Sequence, residues 1–559
     1  MNPAPTSPDT AWRRIASRHA RTVTFIGDDT DVLTHHALIA QAAAHIPTLR
    51  AAGIDRGEPV LVTAHTSMEF LSCFLGLMLH GAVPVPLPPQ HALKAPGQFL
   101  TRLGPLLEQH RRIICTTAEK DEVQSAAPVD CRITTLTALA QARDDEFGHA
   151  AAARLARGSA DWPLPAPTDD AYVQYTSGST AAPRGVVVTY HNLLANMDAT
   201  GRGLGFRPDD VMTSWLPLHH DMGLVSSLAA ALFNGIATVF TTPQQFLYDP
   251  LGFLRLLTRT GATHTLMPNF ALEWLINARN RPSADIGGID LQAMRCLMIA
   301  SEPVNAASMR RFVEVFTGLG LGPTALCSGY GLAESTCAVA LSAPDTGFRT
   351  EMHHGTEVVT GGRVLDGYEV RIDAPPGERA GTIKLRGPSV STTAYIDGKK
   401  AGVLDGEGFC DTHDLGYLVD DELVILGRQD EVFIVRGENR FPYDIEFAVR
   451  TASGQERIKV ASFGLQNRIV VVLENRTDTP TDLAQAERLR QQVLISTGLA
   501  VDELLTVRRG TIPVTTSGKI KRTAVAEAYR SDTLPRLTTH TWAPDPPSNH
   551  QPGRPSNTP

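Results

Sequence analysis

Lysine is scarce in this chain: of 51 basic residues only eight are lysines, at 94, 120, 384, 399, 400, 459, 519 and 521. A surplus of positive charge is missing as well. Acidic residues outnumber basic ones by 59 to 51, which excludes a general nucleic-acid binder, because such a protein needs a basic face for phosphates. A small anion held by a few local cations remains possible. Cysteine is sparse and scattered, at 73, 115, 131, 296, 327, 337 and 410, and no two form a CxxC pair. That excludes a zinc site or a disulfide framework of the usual spacing and points to reduced thiols in a cytoplasmic protein. Long apolar runs are absent too. The longest, 70–79, falls far short of a membrane span and reads as a buried helix, and residues 1–9 carry no apolar stretch of signal-peptide type.

What is present is length and alternation. A chain of 559 residues is too long for one ordinary domain, so about two to four units are expected. Strand-like runs at 60–63, 82–85, 113–115, 238–241 and 296–300 alternate with amphipathic stretches at 33–49, 68–79, 251–260 and 306–317. Strand, helix, strand at this spacing predicts βαβ units and mainly parallel sheets. Near 360 the texture changes to short β-like pieces punctuated by glycine, at 369–372, 381–386, 422–426 and 432–435. A helix-like 443–451, an alternating 460–473 and a helical 482–498 follow. The fold class is therefore α/β: a large N-terminal α/β body of several subdomains, one of them β-rich, then a small α+β C-terminal domain. The expected boundaries are 10–427 and 428–533, with a disordered tail at 534–559 that is rich in Pro, Asn and Thr.

Five segments can carry chemistry. Tyr175 to Val186 reads Tyr-Thr-Ser-Gly-Ser-Thr-Ala-Ala-Pro-Arg-Gly-Val, hydroxyls and glycines followed by a cation between two strand-like runs. Such a loop presents N–H and O–H donors to phosphate, although it is no Walker loop and a Ser/Thr-rich surface turn has the same composition. Ser214 to Leu224 contains His219, His220 and Asp221. Adjacent side chains point different ways, so joint metal ligation is disfavoured, and a capping or core histidine is the plainer alternative. Ser328 to Thr336 joins an aromatic, close-approach glycines and the carboxylate of Glu334, which suits either Mg²⁺ or a helix N-terminus. Thr412 to Gly416, followed by Gly427 to Asp430, offers a carboxylate suited to a ribose diol, or else a hairpin turn and an interdomain salt bridge. Pro513 to Arg522 sets Lys519 behind a glycine, either aimed at an anion or on a solvated basic loop.

Together, in this order, the five resemble the acyl- and aryl-adenylating enzymes, a superfamily that includes acyl-CoA synthetases, luciferases and nonribosomal adenylation domains. The resemblance runs from about residue 11 to 530. Leu216 to Leu224, Met267 to Ala271 and Ser301 to Val304 look most like fatty acyl-AMP ligases. The resemblance implies an ATP- and Mg²⁺-dependent ligase that turns a carboxylic acid into acyl-AMP with release of pyrophosphate. It then implies transfer to the phosphopantetheine thiol of a carrier protein. Coenzyme A as acceptor, a nitrogen nucleophile, or a noncatalytic acyl-AMP-binding protein are the other outcomes considered.

Position by position, the resemblance assigns Thr176, Ser177, Gly178, Ser179, Thr180, Arg184 and Gly185 to the β- and γ-phosphates. Ser301, Glu302, Ser328, Gly329, Tyr330 and Gly331 would surround adenine. Glu334 and Thr180 would hold Mg²⁺, and Asp414 and Arg428 the ribose hydroxyls. His220 would stand by the acid's carboxylate, with Trp215, Met222, Asn269, Phe270, Leu272 and Ala333 as pocket walls. Lys519 would bridge carboxylate and α-phosphate from a mobile small domain that turns about Asp430. A cation used only when two anions meet stabilises the transition state selectively. Three departures stand out: Ala181 and Arg184 replace a usual glycine and lysine, and Ala300 replaces a glycine. The stretch 337–360 is short for the insertion that fatty acyl-AMP ligases carry, and the hinge residue is Asp430 rather than a lysine. The short stretch and the hinge both bear on which thiol accepts the acyl group.

Overall fold

Short β-branched runs covered on both faces settle into parallel strands in the computed structural model of the chain. It describes residues 7–542 apart from 28, 64, 93–97, 161, 177–183, 436–437, 455–457, 476–478 and 516–518. The chain divides into two units, Met1–Leu426 and Gly427–Pro559.

In the first unit, fourteen strands among the described residues form one sheet. Its parallel part runs Thr22–Ile26, Ala237–Thr241, Val211–Ser214, His264–Met267, Cys296–Ile299, Leu326–Gly331. Beyond Leu326–Gly331 the pairing turns antiparallel, through Ala338–Leu341 and Thr356–Val364 towards the glycine-punctuated strands Gly381–Arg386 and Glu369–Asp373. A separate parallel sheet takes Val83–Leu87, Pro59–Thr63, Arg112–Cys115 and Arg132–Thr135 in that order. A small antiparallel sheet contains the hairpin Asp170–Thr176 and Arg184–Thr189. The helix Met68–His80 is apolar all round, and it is buried accordingly. Ser67 caps its first turn and Gly81, at φ 90°, ends it in the left-handed conformation that glycine adopts without strain. The stretch 33–49 is not one helix. Pro47 has no N–H to continue the ladder, so the chain makes His35–Ala43 and a second, short helix, Ile46–Ala51.

The second unit has a sheet ordered Val460–Leu465, Arg468–Asn475, Glu503–Arg508, Arg536–Thr541. Ile469, Val471 and Leu473 pack with the helices Pro442–Ser453 and Leu483–Thr497, while Val470 and Val472 pack with Val525 of the helix Arg522–Arg530. Both faces of the central strand are covered, so its sequence is a continuous apolar run rather than the alternation expected for 460–473. The disordered tail expected from 534 is corrected at its start. Leu534 is buried, and Arg536–Thr541 pairs antiparallel with Glu503–Arg508, three threonines suiting a pleated edge. Residues 543–559 lie outside the described residues. Among the described residues no helix is long and apolar enough to cross a membrane.

Candidate active site

Four adjacent parallel strands end on the same side of the large sheet: Val211–Ser214, His264–Met267, Cys296–Ile299 and Leu326–Gly331. The loops beyond these carboxyl ends hold the segments at 214–224, 267–271, 301–304 and 328–336. Open α/β sheets bind ligands at that edge. The sequence motifs, spread over more than a hundred residues, are thus gathered by topology.

The strand Leu326–Gly331 is where the sheet changes hand. Leu326, Cys327 and Ser328 pair in parallel with Leu297, Met298 and Ile299; Gly329, Tyr330 and Gly331 pair antiparallel with Leu341, Ala340 and Ala338. A Cβ on Gly331 would stand 2.1 Å from the Cys337 carbonyl oxygen, so only glycine lets the chain reverse through 332–337. Glu334 sits in that reversal. Its own carbonyl accepts from Ser391 N–H at 2.8 Å. Thr336 has φ 70°, and Cys337 N–H donates to the Ser335 carbonyl at 2.8 Å, a γ-turn centred on a β-branched residue. The strain is held by Thr336 Oγ1 donating to Ser389 O at 2.8 Å and by Asn196 Nδ2 and Tyr368 Oη donating to the carbonyls of Ser335 and Ala338. The Glu334 backbone is fixed, while its carboxylate accepts no hydrogen bond from a described residue.

Tyr330 Oη donates to Asp414 Oδ2 at 2.5 Å, which joins the residue expected on adenine to the one expected on ribose. Burial and the neighbouring carboxylate push the Tyr330 phenol well above its ordinary range, so it stays a donor. Ser328 is fully buried and shares a hydrogen bond with Ser342 at 2.9 Å. Glu302 Oε1 accepts from Phe270 N–H at 2.7 Å, capping the helix Asn269–Arg279, whose N-cap is Pro268 and supplies no side-chain acceptor. Asn269 Oδ1 accepts from Asn305 N–H at 3.1 Å, stitching the same two loops again. Ser301 takes φ 75°, an uncommon value for a residue with a side chain.

His220 Nδ1 lies 2.7 Å from Asp221 Oδ1, which leaves Nε2 as the nitrogen available to a ligand. Asp221 also caps the π-helix Met222–Ala229, and Ser226 Oγ on that helix donates to Cys337 Sγ at 3.0 Å. Gln174 Nε2 donates to the His219 carbonyl at 3.0 Å, tying the strand before the phosphate loop to the histidine segment. Of the expected pocket walls, Trp215, Met222, Leu272 and Ala333 are buried; Asn269 and Phe270 are half-buried. Trp215 stacks on Phe246 at 4.0 Å with rings 4° from parallel, and Phe246 in turn stacks on Trp274 at 6.3 Å. A cavity behind the π-helix is lined by apolar side chains including Leu71, Phe74, Met78, Leu224 and Leu228.

The phosphate loop is seen only at its base. Ser177, Gly178, Ser179, Thr180 and Ala181 lie outside the described residues. Thr176 pairs with Arg184 and Tyr175 with Gly185, where a Cβ would stand 2.8 Å from the Tyr175 ring. Tyr175 Oη is hydrogen-bonded to His110 Nε2 at 2.8 Å. Among the described residues Arg184 Nε, which is buried, has no hydrogen-bond partner, and Arg184 has no carboxylate partner. Burial pushes the Cys410 thiol up to about 12; Glu334 adds to the shift and Arg184 opposes it, so that one thiol feels both charges.

Arg428, Asp430 and Lys519 belong to the second unit. Arg428 Nε pairs with Asp430 Oδ1 at 3.2 Å within a turn in which Glu431 N–H and Val432 N–H both donate to Arg428 O. Lys519 is exposed, and its ammonium makes no ion pair with a described residue. Sequence reading missed Asn196, Phe246, Tyr368 and Ser389. Only Asn196 carried a signal, an asparagine inside an otherwise regular helical stretch.

Comparison with known proteins identifies the family. Residues 12–395 match the AMP-binding enzyme family. A long-chain-fatty-acid–AMP ligase, FadD26, of Mycobacterium bovis is 30% identical over 91% of this chain and 93% of its own length. A 4-hydroxyphenylalkanoate adenylyltransferase of Mycobacterium tuberculosis is 29% identical over 86% of this chain and 84% of its own. Among solved structures, a fatty acyl-adenylate ligase from a study of the E. coli and L. pneumophila enzymes superposes with a TM-score of 0.81 at 26% identity, covering 94% of this chain and 98% of that one. A polar edge built on parallel strand ends, a glycine-dependent turn presenting Glu334, and a match over more than two thirds of the sequence converge: the chain belongs to the AMP-binding enzymes, ATP-using ligases that form adenylates.

Proposed function

We propose that this enzyme activates a carboxylic acid with an apolar tail, fatty or aryl, as acyl-AMP and passes the acyl group to the phosphopantetheine thiol of a carrier protein. The observation that carries the reading is a pair of opposite charges, Arg184 and Glu334, that make no ion pair with a described residue and both act on the Cys410 thiol. In the first step an oxygen of the acid attacks the α-phosphorus and the bond to the β-phosphate oxygen breaks, releasing pyrophosphate. In the second a thiol sulfur attacks the acyl carbonyl, AMP leaves, and the thiol proton is lost to solvent.

Arg184 offers the departing phosphates a fixed, bidentate charge. Tyr330 stacks the base while its hydroxyl orients Asp414 towards the ribose diol. Asp221 fixes the His220 tautomer so that Nε2 meets the acid. Lys519, which makes no ion pair with a described residue, is the cation for charge developing between carboxylate and α-phosphate. Glu334, whose carboxylate accepts no hydrogen bond from a described residue, fits Mg²⁺, which takes one or two carboxylates and fills its shell with phosphate oxygens and water. Bound there, Mg²⁺ would neutralise phosphate charge. The aromatic stack at Trp215 supports an apolar tail over an amino acid. Unpaired cysteines, six of the seven buried, support a reducing, cytoplasmic setting.

A second reading, coenzyme A as acceptor, is favoured by one feature. Between Leu341 and Thr350 the chain crosses eight residues without a further element and then forms the hairpin Thr350–His353 and Thr356–Val364. ATP–pyrophosphate exchange over fatty, aryl and amino acids tests the first step, and exchange with none of them overturns it. Offering coenzyme A beside a phosphopantetheinylated carrier tests the second; preferential acylation of coenzyme A would replace the carrier with the second reading.

A further inference from the structure

Arg522 lies three residues beyond Lys519 and opens the helix Arg522–Arg530. A cation in the first turn of a helix opposes the helix dipole, and no side chain caps this one at Lys521. The surroundings of Arg522 account for its being there. Nε and Nη2 donate to the two oxygens of Glu446, both at 2.8 Å, and Nη1 donates to Glu431 Oε1 at 2.8 Å. The guanidinium lies 4.1 Å over the Tyr443 ring, and Tyr443 Oη donates to the other Glu431 oxygen. One planar group thus joins the residue directly after Asp430, the helix Pro442–Ser453 and the C-terminal foot of the Lys519 loop.

The other foot is fixed separately. Glu474 Oε1 accepts from Gly510 N–H at 3.1 Å and Ile512 N–H at 2.7 Å, and Lys459 Nζ donates to Ile512 O at 2.8 Å. Between the feet the chain closes as a hairpin. Lys521 N–H donates to Pro513 O at 3.0 Å, Thr515 N–H to Lys519 O at 2.8 Å, and Lys519 N–H to Thr515 Oγ1 at 3.1 Å. The Lys519 backbone is therefore set by where its two feet stand.

The carboxylates around Arg522 are not equivalent. Glu446 is 1% exposed and also accepts from Ser462 N–H at 2.9 Å, so it belongs to the unit's core. Glu431 is 16% exposed and sits in the turn that starts at Arg428. Its pairing adds little to that core and reaches straight to the proposed hinge.

We propose that Arg522 is a positioning residue for Lys519, and that its ion pair with Glu431 couples the hinge turn to the hairpin that carries Lys519. This rests on the roles assigned above to Lys519 and Asp430. Replacing Arg522 would strand Glu446 in the core and risk unfolding, so the test uses Glu431→Gln and Tyr443→Phe in the full chain, with Lys519→Ala and the double variant Lys519→Ala/Glu431→Gln. The expected result is a kcat for acid-dependent ATP–pyrophosphate exchange roughly 10–100-fold lower in Glu431→Gln, with KM for ATP and the melting temperature held. Tyr443→Phe, which loses one hydrogen bond to Glu431, falls in the same direction and less far. The double variant is no slower than Lys519→Ala alone, because residues acting through one group do not add. Undiminished kcat in Glu431→Gln, or losses that multiply in the double variant, overturns the coupling while leaving the proposed function intact. Undiminished exchange in Lys519→Ala overturns both.

Discussion

Lowering the pH from 7.5 to 5.5 should destabilise the first unit and stabilise the second. His35, His45 and His110 are buried in the first unit, and burial holds them neutral, with folded values of about 3, 4 and 4 against 6.5 unfolded. Arg18 and Arg21 add to the effect at His35, and Arg143 at His45. Between the folded and unfolded values the unfolded chain binds the protons and the folded chain does not, so stability falls as pH falls through 6.5. At pH 5.5 each histidine costs about 1.4 kcal/mol relative to pH 7.5, about 4 kcal/mol for the three. His80, His264 and His353, also held below the usual range mainly by burial, act in the same sense. For a unit of 426 residues the unfolding entropy is about 0.9 kcal/mol/K, so the melting transition should drop by roughly 4–5 °C. Asp444 in the second unit has the opposite sign. Burial raises it to about 6 against 3.8 unfolded, so its folded form takes up a proton first and gains about 0.8 kcal/mol over the same interval. Differential scanning calorimetry at the two pH values measures both transitions. His110→Gln, which keeps a partner for Tyr175, should remove about 1.4 kcal/mol of that loss, or roughly 1.5 °C of the downward shift. If the first transition moves by less than about 2 °C, or both move down together, the burial argument is wrong.

Lys519→Ala should slow acid-dependent pyrophosphate exchange by ~10²–10³-fold while calorimetric ATP binding is unchanged; full exchange would remove the lysine from the chemistry. Tyr330→Phe takes the donor from Asp414 and should raise KM for ATP about tenfold with KM for the acid unmoved. An unchanged KM for ATP would mean that Asp414 is oriented by other groups. Gly331→Ala would drive a Cβ into the Cys337 carbonyl and displace the turn holding Glu334, so exchange should be lost even where circular dichroism shows a folded chain. Activity within a few-fold of the parent would show that the turn can shift at little cost.

What the sequence makes legible, in the fold and in the site alike, is what local chemistry decides. The strands at 60–63 and 296–299 follow from short, wholly apolar or β-branched runs, and the end of the helix at 80 from Gly81, each readable within a few residues. The break at Pro47 was legible in principle, since a proline lacks the N–H that one continuous helix would need, but the apolar periodicity across 33–49 outweighed it. The strand Arg536–Thr541 lay hidden in a polar tail because an edge strand needs a partner more than it needs hydrophobicity, and that partner, Glu503–Arg508, is fixed only once the sheet forms. The site divides in the same way. Glycine and hydroxyl spacing marks the phosphate loop and the 328–336 turn, whereas the bond from Tyr330 to Asp414 spans 84 residues and Thr336 leans on Ser389. Arg522 shows the limit most clearly. As a residue it is the last letter of a lysine-bearing motif, but its choice over any other cation is explained only by Glu446 and Glu431, 76 and 91 residues upstream. A motif can thus be recognised by its charged tip, while the residues that fix the tip's geometry are recognised only by what they touch.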